Sequence, residues 1–240
     1  MILEEEVKVG DVVSANINSA HVFKKYGIDF CCGGGISIQK ACEKKNVNLE
    51  SLLLDLKNLD ENVMPSQNFK NWELDFLIDY IVNTYHIYLK ESLEMLDAYA
   101  SKVARVHGEG HPRVVKIYEW FLAVKEELTA HMQKEEMVLF PYIKELVASN
   151  RADSNIELSH FGSVQNPISM METEHEKAGD ILKEIGKLSD NYNPPDWACN
   201  TFKALYAKLD EFEQDLHLHV HLENNILFPK AILLETKLSN

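Results

Sequence analysis

The chain is predicted to be all-α, with a small helical N-terminal domain ahead of an antiparallel four-helix bundle. Three observations predict it. Beyond residue 70 or so, apolar residues recur at three- and four-residue intervals over four long segments, roughly 70–107, 112–149, 165–190 and 195–236. The breaks between them carry turn and helix-stop chemistry: Gly108-Glu-Gly110-His-Pro112, a polar stretch 150–164, and Tyr192-Asn-Pro194-Pro195. Strand-like alternation is nearly missing.

Residues 1–60 hold short helical pieces interrupted by glycines and form the small domain, ending in the apolar and acidic stretch from Leu49 to Leu59. Residues 61–69 are polar, contain Pro65 and lack periodicity, and are expected to be a linker. The bundle then takes residues 70–240. Pro112 and Pro195 suit the first turn of a following helix, where the missing N–H costs nothing.

At 240 residues the chain has room for one sizeable core and a small second domain, and 45% apolar residues suit a globular protein. A net charge of −14 argues against a nucleic-acid or anionic membrane surface and agrees with a protein that handles cations. No apolar run reaches the roughly 18 residues that span a bilayer. The acidic start Met-Ile-Leu-Glu-Glu-Glu lacks a secretory pattern, so a cytoplasmic location is expected. Four cysteines (Cys31, Cys32, Cys42, Cys199) are too few for a disulfide scaffold of this length.

Two stretches share the pattern His-x3-Glu-x3-Leu-Phe-Pro. One runs from His131 through Glu135 to Pro141, the other from His219 through Glu223 to Pro229, 88 residues later. On a helix, residues four apart share a face one turn apart, so each His and Glu can reach one ion. The duplication extends further: His86 precedes His131 by 45 residues, and His175 precedes His219 by 44. Two such halves facing each other would gather His86, His131, Glu135, His175, His219 and Glu223 into a two-metal site. Nitrogen and carboxylate donors without thiolate suit iron or manganese better than structural zinc.

Register selects among neighbouring residues. His217 and His221 lie about 200° around the helix from His219, and Glu135 is preferred over Glu136 on the same ground. Glu127, Asp215 and Glu174 are candidates for outer partners of the ligands or for an ion path. The plain reading of any one His–Glu pair is a helix-stabilising contact. The joint spacing, with the same Leu-Phe-Pro tail, favours a duplicated metal site. The two triplets themselves are expected to be structural, closing the bundle end above the ligands.

The stretch Tyr26-Gly-Ile-Asp29-Phe30-Cys31-Cys32-Gly33-Gly34-Gly35 is the second informative segment. Helix is expected from about Ser37, which would place both thiols just before a helix N-terminus, where thiolate is favoured. Adjacent cysteines bond to each other only with strain, so no resting disulfide is expected. The plainer reading is a tight glycine turn with two small buried residues. Two adjacent thiols beside three glycines favour a reactive pair that binds iron or exchanges with a partner's thiols. Cys42 is expected inside its helix, and Cys199 as a packed small residue one turn into the last helix.

The repeated His and Glu pattern resembles a hemerythrin-like domain. Together with the Tyr-Gly-Ile-Asp-Phe-Cys-Cys-Gly-Gly-Gly segment, in this order, the chain resembles the iron–sulfur cluster repair di-iron proteins, the RIC family, from His21 to the C-terminus. The resemblance implies two non-haem iron ions per chain, held by His86, His131, Glu135, His175, His219 and Glu223 and oxo- or hydroxo-bridged when oxidised. It carries the family's paired cysteines onto Cys31 and Cys32, and implies repair of iron–sulfur proteins damaged by nitrosative or oxidative stress, in a homodimer. Val106-His107-Gly108 is similar to a family segment near the site. Residues 150–164 look like an insertion relative to shorter members, with His160 as a loop residue.

Iron donation is the leading functional expectation, which makes a turnover enzyme the lesser possibility. The other two are a di-iron reductase of nitric oxide or peroxide that uses the thiols for electron entry, and a module that senses dioxygen or nitric oxide.

Overall fold

A computed structural model describes residues 6–59, 68–154, 156 and 159–239. Residues 61–67 of the expected linker lie outside them. Among the described residues the chain is helical, with isolated bridges only at Lys8–Ser37 and Ser159–Gly162. It divides into two compact units.

One unit comprises Met1–Ile78, Ile143–Glu157 and His217–Asn240. Its N-terminal part has four short helices: α1 (Val9–Ala15), α2 (Ser19–Lys25), α3 (Ile38–Lys45) and α4 (Leu49–Lys57). Polar side chains start two of them, since Ser37 Oγ accepts from Lys40 N–H and Asn48 Oδ1 from Ser51 N–H. Asn46 ends α3 in the left-handed conformation. Val9, Val12, Phe23, Ile38 and Leu52 are buried, one or more from each of the four helices. Residues 68–73 carry a short 3-10 turn, Phe69–Asn71, whose Phe69 is buried and meets Trp72 edge-on at 4.7 Å. Lys230 of the C-terminal helix donates to the carbonyls of Lys70 and Trp72, and the Arg151 guanidinium makes a two-pronged bond to Asp75.

The other unit comprises Asp79–Tyr142 and Leu158–Leu216. Its helices are α6 (Ile87–His107), α7 (Pro112–Lys134), α9 (Gln165–Leu188) and most of α10 (Asn200–Leu222); α5 (Leu74–Tyr80) and α8 (Phe140–Ala152) run into it. The turn at 108–111 makes α6 and α7 antiparallel neighbours. Each long helix buries a stripe at three- and four-residue spacing: Leu89-Leu93-Leu96 with Ala100 and Val103, Ile117-Phe121-Val124-Leu128, Ile168-Met171 with Ala178, Leu182 and Ile185, and Leu205-Leu209-Phe212-Leu216. His131, His175 and His219 continue these stripes, so each ligand candidate sits at a core position of its helix.

Two departures from the expected helices matter. Pro112 does open α7, but α10 begins at Asn200, and Pro195 lies in the turn before it. The chain needs those extra residues because Asp190, Asn191 and Tyr192 all take positive φ, a tight reversal that cannot feed straight into a helix. The long segments are also interrupted by π-helical turns, at Ile81–His86, Glu135–Leu139 and Glu223–Leu227, the last leading into α11 (Phe228–Leu238). In each the following N–H reaches back five residues: Ile87 to the carbonyl of Val82, Phe140 to Glu135, Phe228 to Glu223. Pro141 and Pro229 come just after two of these turns, where the widened spiral leaves room for a residue that cannot donate.

Candidate metal centre

All six predicted ligands are buried, and three of them begin or end a π-helical turn. His86 closes the first such turn, Glu135 opens the second and Glu223 the third. A helix widened by one residue aims its side chain differently from a regular one, which is a recurrent device at functional sites.

The ligand atoms form two groups. Those of His86, Glu135, His219 and Glu223 lie within 4.8 Å of one another, as do those of His131, Glu135, His175 and Glu223. Glu135 and Glu223 belong to both groups, the arrangement that bridging carboxylates require. Glu135 Oε2 stands 3.4 Å from Nε2 of both His86 and His131, and His219 Nε2 is 2.9 Å from Glu223 Oε1. His131 and His175 point Nε2 at each other at 2.9 Å. Two imidazole nitrogens on one ion at ordinary bond lengths stand roughly 3 Å apart, so this pair has the separation of shared ligands. Four imidazoles and two carboxylates, buried and converging, fit a pair of iron ions.

Outer partners fix the ring orientation. His86 donates from Nδ1 to Glu136 Oε1 at 2.8 Å, and Lys90 donates to the same oxygen at 2.8 Å. His131 donates from Nδ1 to Glu174 Oε2 at 2.9 Å, with Lys134 on the other oxygen. With Nδ1 protonated in this way, the Nε2 lone pair faces inward for a metal. The His131 hydrogen bond, helped by Lys134 and opposed by burial, holds the Glu174 carboxyl down at about 2. Burial raises Glu136, but Lys90 and His86 outweigh it and its net shift is downward. Phe140 of the first Leu-Phe-Pro triplet stacks on His86 with ring centres 5.7 Å apart. A cavity of about 420 Å³ lined by Lys90, Leu93, Met132, Glu136 and Met137 opens beside this outer carboxylate.

Glu174 is thus the outer partner that its sequence position suggested. Glu127 is not: it pairs with Lys177 at the surface. Asp215 is part-buried, its Oδ2 has no hydrogen-bond partner among the described residues, and burial pushes its carboxyl up to about 7. His107 lies 3.4 Å from Cys199 and packs on Trp197 and Phe202, outside both ligand groups. Cys199 is exposed and precedes α10, rather than packing inside it, because the helix starts late.

Cys31 and Cys32 are free thiols 3.9 Å apart in a loop six residues ahead of α3, not at its first turn. The expected helix-dipole activation is therefore missing. Cys31 is buried, and its thiol is pushed well up by the bond to Cys32, by burial and by the Asp29 carboxylate, the opposite of thiolate stabilisation. Cys42 lies buried in α3 as expected.

The pattern did not reveal what His221, Asn224 and Asn225 do. His221 is fully buried, with Nε2 3.2 Å from Ser14 Oγ and Nδ1 3.3 Å from the Phe30 carbonyl. Burial drives its imidazole down to about 4, so it is neutral. The Ser14 hydroxyl donates to the Gly10 carbonyl at 2.7 Å and so accepts from His221 Nε2–H. Nδ1 is then an acceptor for the Asn225 amide at 3.3 Å, whose second hydrogen goes to the Cys31 carbonyl at 2.9 Å. The corresponding positions of the first repeat are Gln133, Glu136 and Met137, and that mismatch was the available signal.

Comparison with known proteins agrees with this geometry. Residues 77–231 match the family described as the hemerythrin HHE cation binding domain, and residues 5–60 match a domain of unknown function, DUF542. The iron–sulfur cluster repair protein ScdA of Staphylococcus haemolyticus is 34% identical over 230 residues, 96% of this chain and 99% of the relative. The iron–sulfur cluster repair protein YtfE of Yersinia pseudotuberculosis is 36% identical over 224 residues, 93% of this chain and 96% of the relative, and that of Yersinia pestis is equally similar. With its candidate ligands on the matched helices, the chain belongs to the hemerythrin HHE cation-binding family, among the iron–sulfur cluster repair proteins.

Proposed function

We propose that this is a di-iron protein that repairs iron–sulfur clusters damaged by nitrosative or oxidative stress, and that it does so by supplying iron. The observation that carries the reading is the pair of ligand groups sharing Glu135 and Glu223. Similarity to curated repair proteins over nearly the whole chain supports the purpose.

His86, His131, Glu135, His175, His219 and Glu223 would hold two non-haem irons, which supply exchangeable ferrous ions to a cluster that has lost one. Such nitrogen and oxygen donors hold ferrous iron less tightly than sulfide does. Glu136 and Glu174 keep the His86 and His131 rings turned inward for rebinding. Asp215 offers a further carboxyl one turn from His219. Cys31 and Cys32, with Asp29 Oδ1 3.2 Å from Cys31 Sγ, form a small sulfur and oxygen donor set suited to receive an ion or to dock a damaged cluster. The raised Cys31 thiol means that proton loss must accompany capture of a cation there, since the metal takes the place of the proton.

Damaged iron–sulfur proteins are the partners of this reading, and a homodimer in the cytoplasm is its setting. No helix is long and apolar enough to cross a membrane among the described residues. The domain division that goes with it is 1–60 for the cysteine-bearing domain, 61–69 for the linker and 70–240 for the iron domain.

The test starts from anaerobically purified protein, which should carry two irons per chain and lose them on His131→Ala. Labelled ferrous iron loaded into the protein should then pass to a cluster protein lacking one iron. No transfer, or equal transfer from the His131→Ala/His219→Ala double variant, refutes donation. Consumption of nitric oxide over many turnovers would establish a reductase instead.

A further inference from the structure

The π-helical turn that begins with the ligand Glu223 continues with Asn224 and Asn225, and both of these hold the cysteine loop. Asn224 Nδ2 lies 3.8 Å from Cys32 Sγ, and Asn225 Nδ2 donates to the Cys31 carbonyl at 2.9 Å. His221, one turn earlier, holds Asn225 from behind through its accepting Nδ1, while Phe30 packs on the rings of His217 and His221 with centres 6.0 Å away.

The backbone around the loop is shaped to this contact. Gly10 N–H donates to the Gly34 carbonyl at 2.8 Å, and a side chain at Gly10 would strike Asn225 while one at Gly34 would crowd it. A Cβ on Gly10 would stand 2.5 Å from Asn225 Oδ1, and one on Gly34 3.1 Å from it while colliding with the Phe30 carbonyl. Gly10 is thus accounted for by the close approach of the Asn225 carboxamide, and Gly34 chiefly by the Phe30 carbonyl. Three consecutive residues therefore face two tasks: Glu223 the candidate metal site, Asn224 and Asn225 the cysteine loop.

We propose that Asn224 and Asn225 are positioning residues that couple the vicinal thiols to metal occupancy. An ion on Glu223 fixes the start of the turn and with it the Cys31–Cys32 loop; loss of the ion lets turn and loop open together. Donation of iron would then expose the thiols only when the centre has given up its cargo. The coupling is reciprocal, so loosening the asparagine contacts weakens the hold on the ion. This inference rests on the reading of Glu223 as a ligand.

The test alkylates the full chain anaerobically with N-ethylmaleimide, loaded with ferrous iron or metal-free. Mass mapping follows Cys31 and Cys32, with exposed Cys199 as the reference thiol. Loading should slow labelling of Cys31 and Cys32 about five-fold or more relative to Cys199. In Asn224→Ala/Asn225→Ala the difference between the two states should vanish at saturating iron. Asn225→Asp, which keeps the shape but cannot donate, should lose most of it, and Asn225→Gln should restore part. Amide hydrogen exchange over residues 30–35 should follow the same order. Protection that survives in the double variant overturns the proposal, since direct iron–thiol bonding would persist there. Equal labelling of loaded and metal-free wild type, with two ions counted per chain, overturns the coupling but leaves the ligand reading standing. A chain that binds no iron overturns both.

Discussion

Replacing Glu174 by Gln should weaken one ion of the pair and spare the other. The carboxylate accepts from His131 Nδ1 at 2.9 Å and is held down at about 2 by that bond and by Lys134, so it is fully ionised at neutral pH. Gln keeps the size but not the charge, and its amide can present a donor to Nδ1–H. Loss of an outer partner of this kind costs about 10- to 100-fold in metal affinity, or roughly 1.4 to 2.7 kcal/mol. His131 belongs to the group with Glu135, His175 and Glu223, while His86 belongs to the group with Glu135, His219 and Glu223. Competition against a chelator should therefore show a two-step isotherm for Glu174→Gln, with one step weakened. Glu136→Gln should weaken the other step, because Glu136 serves His86. Glu176→Gln, an exposed neighbour in the same helix, is the control. If Glu174→Gln binds both ions as wild type does, or no more weakly than Glu176→Gln, the orienting role assigned to Glu174 is wrong.

Other outcomes follow from the packing. Gly10→Ala should unseat the cysteine loop, raising amide exchange of residues 30–35 without lowering the iron count at saturation. Phe212→Ala, at a fully buried position of α10, should lower stability by about 3 to 5 kcal/mol in a denaturant titration of the metal-free chain. Asp97 is held below its usual range by Lys125 and Tyr118 despite burial. Its contribution is present above the unfolded value of 3.8 and lost as pH falls through the lower folded value, so Asp97→Asn and wild type should converge in acid. The gap above pH 5 should stay within about 1 kcal/mol, because the carboxylate is partly solvated.

Much of the architecture was legible because the stripes 89-93-96, 117-121-124-128 and 205-209-212-216 follow one helical period without interruption. The candidate ligand cluster was legible for a different reason: an identical His-x3-Glu spacing twice, at core positions, brings those residues together. Regular periodicity could not show the π-helical turns, since one extra residue per turn leaves residue types unchanged. Pro141 and Pro229 inside helical segments were their only trace. The roles of His221, Asn224 and Asn225 stayed hidden because the two repeats were read for what they share. The positions where the second departs from the first are those that touch the cysteine loop. The thiolate expectation failed because six residues of loop separate Cys31 from α3, and Cys31 is buried.

The widened turns make this protein more tolerant of altered chemistry than of altered length. Between Glu135 and Pro141, or Glu223 and Pro229, deleting a single residue would let the helix relax to its ordinary winding. Everything downstream would then swing by about 100° relative to the carboxylate. Relatives that keep a working centre should accordingly vary freely in the identity of the residues following each glutamate, and almost never in their number.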